Sequence, residues 1–301
     1  MISAPFHAGE RAVQARIGSR DRMAEIGPRV IRDAMPEQHS LFFAQLPFVV
    51  LGSVDADLQP WASALAAPPG FAHAPDAWHL RIDALPDAHD PLSRNLRYGA
   101  SVGLLGIEPH TRRRNRMNGV VEALDASGFE ITVQQSFGNC PRYISPREAV
   151  FAPASAAGAE APVEGFDAAA RAMVSRADTF FIATAHPEAI GSGAASHGVD
   201  VSHRGGPPGF VRVADDGVLT VPDFAGNRFF NTFGNLMLNP RAGLLFIDHD
   251  NGDLLHLSVT ATFVWDGPAV AAIEGAERLL HLCVERAVRR PGALPLRWQA
   301  H

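Results

Sequence analysis

Lysine is absent from all 301 residues, so every one of the 26 basic side chains is an arginine. That excludes a Schiff-base lysine and the phosphate-binding lysine of a P-loop. Cysteine occurs only at Cys140 and Cys283, too few for a disulfide framework. No second cysteine or histidine stands at zinc-ligand spacing from Cys140. The thirteen histidines are scattered and show no metal motif, so no metal site is expected. No run approaches the length of apolar chain that a membrane-spanning helix needs, and MISAPFHAGERAVQARIG lacks the apolar stretch of a signal peptide. A soluble, cytoplasmic protein is expected. Charged residues are sparse at 19%, and a net charge of -6 gives no general reason to expect nucleic-acid binding.

The length allows one large or two ordinary domains with ample core, and 47% hydrophobic residues is normal for a globular chain. Residues 1–23 are polar and carry no clear periodicity. A helix is predicted within Ile26–Leu46, where Pro36 suits a first turn and Leu41, Phe42 and Leu46 fall near one face. Strand signals follow in PFVVLGSVD, WHLRID, SVGLLGIE, RNRMNGVVEAL and FEITVQQ, with a short helix in DPLSRNLRYGA. Residues 152–164, rich in alanine and proline, read as a linker. Asp167 then caps a predicted helix, and TFFIATA restarts the strand pattern.

One stretch stands out for its chemistry. Gly198–Asn235 is dense in glycine and places Ser202, His203, Arg204, Gly205 and Gly206 in one turn, then Asn227, Arg228, Thr232 and Asn235 one strand later. Glycine lets backbone N–H groups approach a ligand, and arginine presents a planar fork to phosphate oxygens. The pattern suits a phosphorylated small molecule held between two turns. A loop-rich hairpin with solvated arginines is the plainer alternative.

SHRGGPPGFV, PDFAGNRFFNTFGNLMLNPRAGLLFID and GDLLHLS together resemble the pyridoxamine 5′-phosphate oxidase-related FMN-binding proteins. FHAGE, QSFGNCPRYI and PGALPLRW extend the likeness over nearly the whole chain. The resemblance implies a mainly β fold of Greek-key split barrels, with FMN between two barrels. It implies a phosphate site made by Ser202, Arg204, Asn227 and Arg228, shaped by His203, Gly205 and Gly206, with Thr232 and Asn235 as weaker candidates. The C-terminal ALPLRW departs from the substrate-holding arginine and histidine of true pyridoxamine phosphate oxidases, which puts vitamin B6 oxidation in doubt.

The chain also repeats itself. PPGF at 68–71 recurs at 207–210, and VGLLGIE at 102–108 is echoed by AGLLFID at 242–248, at nearly the same offset. Two barrels in tandem are predicted, at 37–151 and 165–301, behind an N-terminal segment 1–36. Ser63 then lies over Ser202, Asn95 over Asn235 and Leu65 over Arg204, while Arg228 falls near Ala88. The first half lacks both arginines, so one principal cofactor site per chain is expected.

Arg114, Arg116 and Asn118 alternate along one predicted strand and share a face that can meet the cofactor or its substrate. Arg116 aligns with His256, a candidate partner for the flavin ring or else a core residue. Cys140 follows a strand in a turn and is either a redox thiol or a packing residue. His7 and Glu10 of FHAGE have no assignable chemistry. The sequence thus points to an FMN-dependent oxidoreductase with a small-molecule electron donor or acceptor and a possible homodimer. A non-catalytic flavin- or haem-binding barrel stays open.

Overall fold

The computed structural model describes residues 5–152 and 161–300. Most of the expected linker lies outside the described residues. Three helices come first: α1 (Ala8–Arg16), α2 (Arg20–Val30) and α3 (Glu37–Ala44). The helix predicted within 26–46 is therefore two helices. The chain leaves helical geometry at Ile31 (ψ 113), and Pro36 precedes α3 as its cap rather than sitting in its first turn.

The first sheet contains β1 (Phe48–Val54), β2 (Pro60–Ala66), β3 (Ala72–His73), β4 (His79–Ile82), then, after helix α4 (Pro91–Asn95), β5 (Ser101–Glu108), β6 (Arg113–Leu124) and β7 (Phe129–Gly138). Short strands β8 (Arg147–Phe151) and β9 (Val163–Glu164) and helix α5 (Ala168–Arg176) lead to the second half. That half has β10 (Thr179–Ala185), β11 (Val199–Gly205), β12 (Arg212–Val213), β13 (Val218–Phe224), α6 (Asn231–Leu238), β14 (Arg241–Ile247), β15 (Leu254–Val264), α7 (Pro268–Ala271), β16 (Ala276–Arg290) and β17 (Leu296–Ala300). The segment LLHLCVE lies within β16.

The two sheets have one strand order. The first runs β2-β1-β5-β6-β7-β4-β3 and the second β11-β10-β14-β15-β16-β13-β12, all antiparallel. The fold is mainly β, with the two sheet-rich halves in tandem. They are also stitched together. β17 pairs with β8, so the end of the second half is hydrogen-bonded to the end of the first.

Alternation of side chains along a strand explains the packing. Val49 and Leu51 of β1 enter the first sheet's own core, while Phe48 and Val50 join a core shared with the second half. β10 does the same: Phe180 and Ile182 point into its own core, Phe181 and Ala183 into the shared one. Strands buried on both faces read as continuous apolar runs, which is why both are fully buried. The sheets approach most closely at two matching glycines. A Cβ on Gly103 would lie 2.5 Å from the Val199 carbonyl, and one on Gly243 would lie 2.3 Å from that of Pro60. Among the described residues no helix is long and apolar enough to cross a membrane.

Candidate functional site

An open cleft lies between the halves, with a cavity volume of about 120 Å³. The first half lines it with β6 and the turn after β7; the second lines it with β11, β13, the start of α6 and the start of β16. Six arginines line it (Arg114, Arg116, Arg142, Arg204, Arg228 and Arg278) against two carboxylates, Asp223 and Glu277. A cleft so furnished favours an anion.

Its floor is a buried polar network. β6 meets β11 face to face, so the alternating Arg114, Arg116 and Asn118 reach His203, Ser202 and Asp200 in turn. Arg116 is 4% exposed. Its Nη1 donates to Asp200 Oδ1 at 3.3 Å and to Asn231 Oδ1 at 2.9 Å, and its Nη2 donates to the Ser202 hydroxyl. Asn118 and Asn235 donate to the two oxygens of Asp200 at 2.8 and 2.9 Å, and Thr232 donates to Ser202 Oγ at 3.0 Å. Glu10 of α1 accepts from the Asn231 amide. Burial, and then the nearby Asp200 charge, push the Glu10 carboxyl well above the usual carboxylate range. The network therefore contains one buried ion pair, Arg116–Asp200, with a second buried carboxyl, Glu10, nearby.

Toward the rim, Arg204 and Arg278 share the buried carboxylate of Asp223, Arg278 at 2.6 Å. Burial raises the Asp223 carboxyl against the pull of both guanidinium groups. Arg204 Nε is buried without a hydrogen-bond partner, as is Arg116 Nε, and both residues line the cleft. Burial and then the neighbouring Arg116 and Arg204 lower Arg114 to about 10. Arg114 donates to the Cys140 carbonyl at 2.8 Å and to His203 Nδ1 at 2.9 Å. His203 is held neutral by burial and by Arg114 and Arg204. Asn227 and Arg228 are exposed at the rim. Asn227 accepts from the Phe229 N–H, and Arg228 takes φ +64°. Tyr143 and Phe224 stack across the rim with centroids 5.2 Å apart.

The sequence-level candidates are thus mostly brought together. Ser202, His203, Arg204, Gly205, Asn227, Arg228, Thr232 and Arg116 line the cleft; Asn235 lies beneath it on Asp200; Gly206 packs on Phe210 instead. His256 lies elsewhere, with its Nδ1 3.0 Å from the Ala62 carbonyl and its Nε2 3.9 Å from Asp90. That position is the first half's counterpart of the Arg116 site. There Ser63 donates to Asp90, which also accepts the Leu92 N–H at 3.0 Å and so caps α4, and Arg290 pairs with it at 2.6 Å. Asp90 is the residue whose second-half counterpart is Phe230, the residue before α6. Phe230 adopts the left-handed conformation (φ 62°, ψ 30°) and provides no side-chain cap. One half fills its helix N-terminus with a carboxylate, and the other leaves it facing the cleft.

Sequence reasoning missed Asp200, Asp223, Arg278 and Glu10. Asp200 and Asp223 flank the glycine-rich stretch, but only the packing of β6 against β11 and the pairing of β13 with β16 show what they neutralise. Gly205 also has a role that the sequence hides. A Cβ there would lie 2.0 Å from the Tyr143 carbonyl, so the glycine seats the turn that forms the cleft's first-half wall. Gly205→Ala is expected to lower stability by about 1–3 kcal/mol, read as a urea midpoint shift. Gly198→Ala, with nothing within 4 Å of its added methyl, should leave the midpoint in place. Equal midpoints for both variants would remove this role.

Residues 35–156 match the family model described as pyridoxamine 5′-phosphate oxidase. The family that the short motifs resemble is therefore the family that matches, although the match falls on the half whose arginine positions are lost. No curated protein matches the chain. Among solved structures it is similar to HupZ of Group A Streptococcus, at 14% identity over 42% of this chain and 99% of that one, with a TM-score of 0.31. A protein titled a putative pyridoxamine 5′-phosphate oxidase, from Lactobacillus delbrueckii, gives 18% identity over 35% and 95%, with a TM-score of 0.29. An FMN-binding protein from Syntrophomonas wolfei gives 10% identity over 40% and 82%, with a TM-score of 0.29.

Proposed function

We propose that the cleft binds FMN and that the protein is an FMN-dependent oxidoreductase working with a small-molecule electron donor or acceptor. The observation that carries this reading is the open N-terminus of α6. Where Asp90 caps α4, the second half offers uncapped N–H groups, two hydroxyls and a surplus of arginine. A helix N-terminus with arginine beside it favours a phosphate. The two buried guanidinium Nε atoms without partners fit the same anion.

When bound, the flavin supplies the redox chemistry, and the protein supplies binding, orientation and electrostatics. Arg116 fixes the Ser202 hydroxyl toward the phosphate position. Asp223 fixes Arg204 and Arg278 side by side. The Tyr143–Phe224 stack covers the rim. No side chain is assigned as a general acid or base. Both walls come from one chain, so a homodimer is not needed to complete the cleft.

Titrating apoprotein with FMN and with riboflavin tests this. A charge-assisted hydrogen bond contributes roughly 1.5–3 kcal/mol, so Arg204→Ala and Arg228→Ala should each weaken FMN binding about ten- to a hundredfold. Riboflavin, without the phosphate, should be much less affected. Leu65→Ala, at the first-half counterpart, should cost stability and leave FMN affinity alone. Bleaching of the bound flavin by reduced nicotinamide supports turnover. Unchanged FMN affinity in both arginine variants would move the phosphate site elsewhere, and a haem Soret band in purified protein would favour the binding-protein alternative.

A further inference from the structure

We propose that the connection between β10 and β11, residues 186–198, holds one divalent transition-metal ion, with His186, Glu188 and His197 as its ligands. The site is separate from the cleft and does not depend on the FMN reading.

The three side chains each offer a ligand atom, and these atoms all lie within 4.8 Å of one another. His197 Nδ1 stands 3.1 Å from Glu188 Oε2, an arrangement that shares one proton between nitrogen and carboxylate. A cation takes that proton's place. The His186 and His197 rings lie 3.8 Å apart and nearly parallel. Zinc bonds to nitrogen and oxygen are about 2.0–2.2 Å long, so ligand atoms of one sphere stand at most ~4 Å apart. Closing the site needs less than about 1 Å of movement. Glu188, 68% exposed at its side chain, is free to make it.

The frame that carries these ligands is fixed. Ala189 is buried against Val54, Ala185 and Val199, its N–H donates to the His186 carbonyl, and its own carbonyl accepts from Ser101 of the first half at 2.7 Å. The matching connection in the first half is only 55–59, closed on itself by the Asp55 carboxylate. The fold therefore does not require the longer one, and its extra residues bring His197 and Glu188 together.

A second feature points to the same place. His7 of FHAGE stands edge-on to His186, with ring centroids 5.0 Å apart. Its Nδ1 accepts the Gly9 N–H, which places the proton of the neutral ring on Nε2. That Nε2–H is sealed from solvent with no aligned hydrogen bond; the Glu10 carboxyl and the Asn235 amide are its polar neighbours. His7, 3% exposed, is thus a buried polar neighbour of a candidate ligand. Two imidazoles and one carboxylate select zinc, cobalt, nickel or copper over magnesium or calcium, which take oxygen ligands.

Zinc chloride titrated into chelator-treated, tag-free full-length protein provides the test. Calorimetry should show one saturable site, and cobalt(II) in its place should give visible d–d bands. The double variant His186→Ala/His197→Ala should bind zinc at least about tenfold more weakly. Glu188→Gln, an exposed change that spares the fold, should also weaken it. FMN and riboflavin titrations should be unchanged in all these variants. Absence of saturable zinc uptake, or wild-type affinity in Glu188→Gln and the double variant with circular dichroism intact, would overturn the assignment.

Discussion

Arg116→Ala should destabilise the folded protein by about 3–5 kcal/mol, the usual consequence of stripping one partner from a buried ion pair. Asp200 is 7% exposed and keeps only the Asn118 and Asn235 amides once the guanidinium is gone. Glu10 cannot take over, because a carboxyl group supplies no positive charge and its interaction with Asp200 is unfavourable. The partner change distinguishes lost charge from lost packing. Arg116→Met with Asp200→Asn removes both charges at similar volume and should recover most of the loss, since a buried pair often gives little net stability over uncharged replacements. Urea unfolding of the wild type, the single variant and the double variant reads this directly. A single variant within about 1 kcal/mol of wild type would mean that Asp200 carries no buried charge.

Acid should also destabilise this protein well above the range where carboxylates titrate. His39, His203, His249 and His256 are all held neutral, chiefly by burial, with His249 lowered to about 3. Arginines add to this: Arg32 and Arg113 face His39, Arg114, Arg204 and Arg147 face His203, and Arg147 faces His249. In the unfolded chain each histidine takes up a proton as pH falls through about 6.5, while in the folded chain it does not. The unfolded state then binds more protons, so stability falls with pH, by up to about 1.4 kcal/mol per pH unit for each group. Glu10 and Asp223, whose folded values are raised, act in the opposite direction. His7 and His186 are lowered as well, and His79 is raised by Asp76, so six groups outweigh three, and the net loss between pH 6.5 and 5 should be at least about 1 kcal/mol per unit. Urea midpoints at pH 7.5, 6.5 and 5.5 measure it; a midpoint that holds or rises at pH 5.5 would show that these imidazoles are not kept neutral.

The sequence by itself determined the β character, the two halves and the neighbourhood of the site. Alternation and apolar runs are local properties, so β1, β5, β10 and β14 were legible from their own residues. The echoed PPGF and LLGIE or LLFID segments were enough to pair the halves, and glycine beside arginine marked the cleft, although the residues read as a turn, Ser202 to Gly205, belong to strand β11. Helix α1 was not legible, because its buried residues include Glu10 and Gln14, whose burial is set by Asn231 and the Phe229 carbonyl rather than by any apolar face. His256, read as either a flavin partner or a core residue, lies fully buried away from the cleft, on the Ala62 carbonyl. Tertiary structure alone decided that Asp90 fills one helix N-terminus and nothing fills the other, that Asp200 and Asp223 neutralise arginines from distant strands, and that His7 stands behind His186. Each of these depends on which charges become neighbours once water is excluded, and that is fixed by the packing of one sheet on the other, not by spacing along the chain.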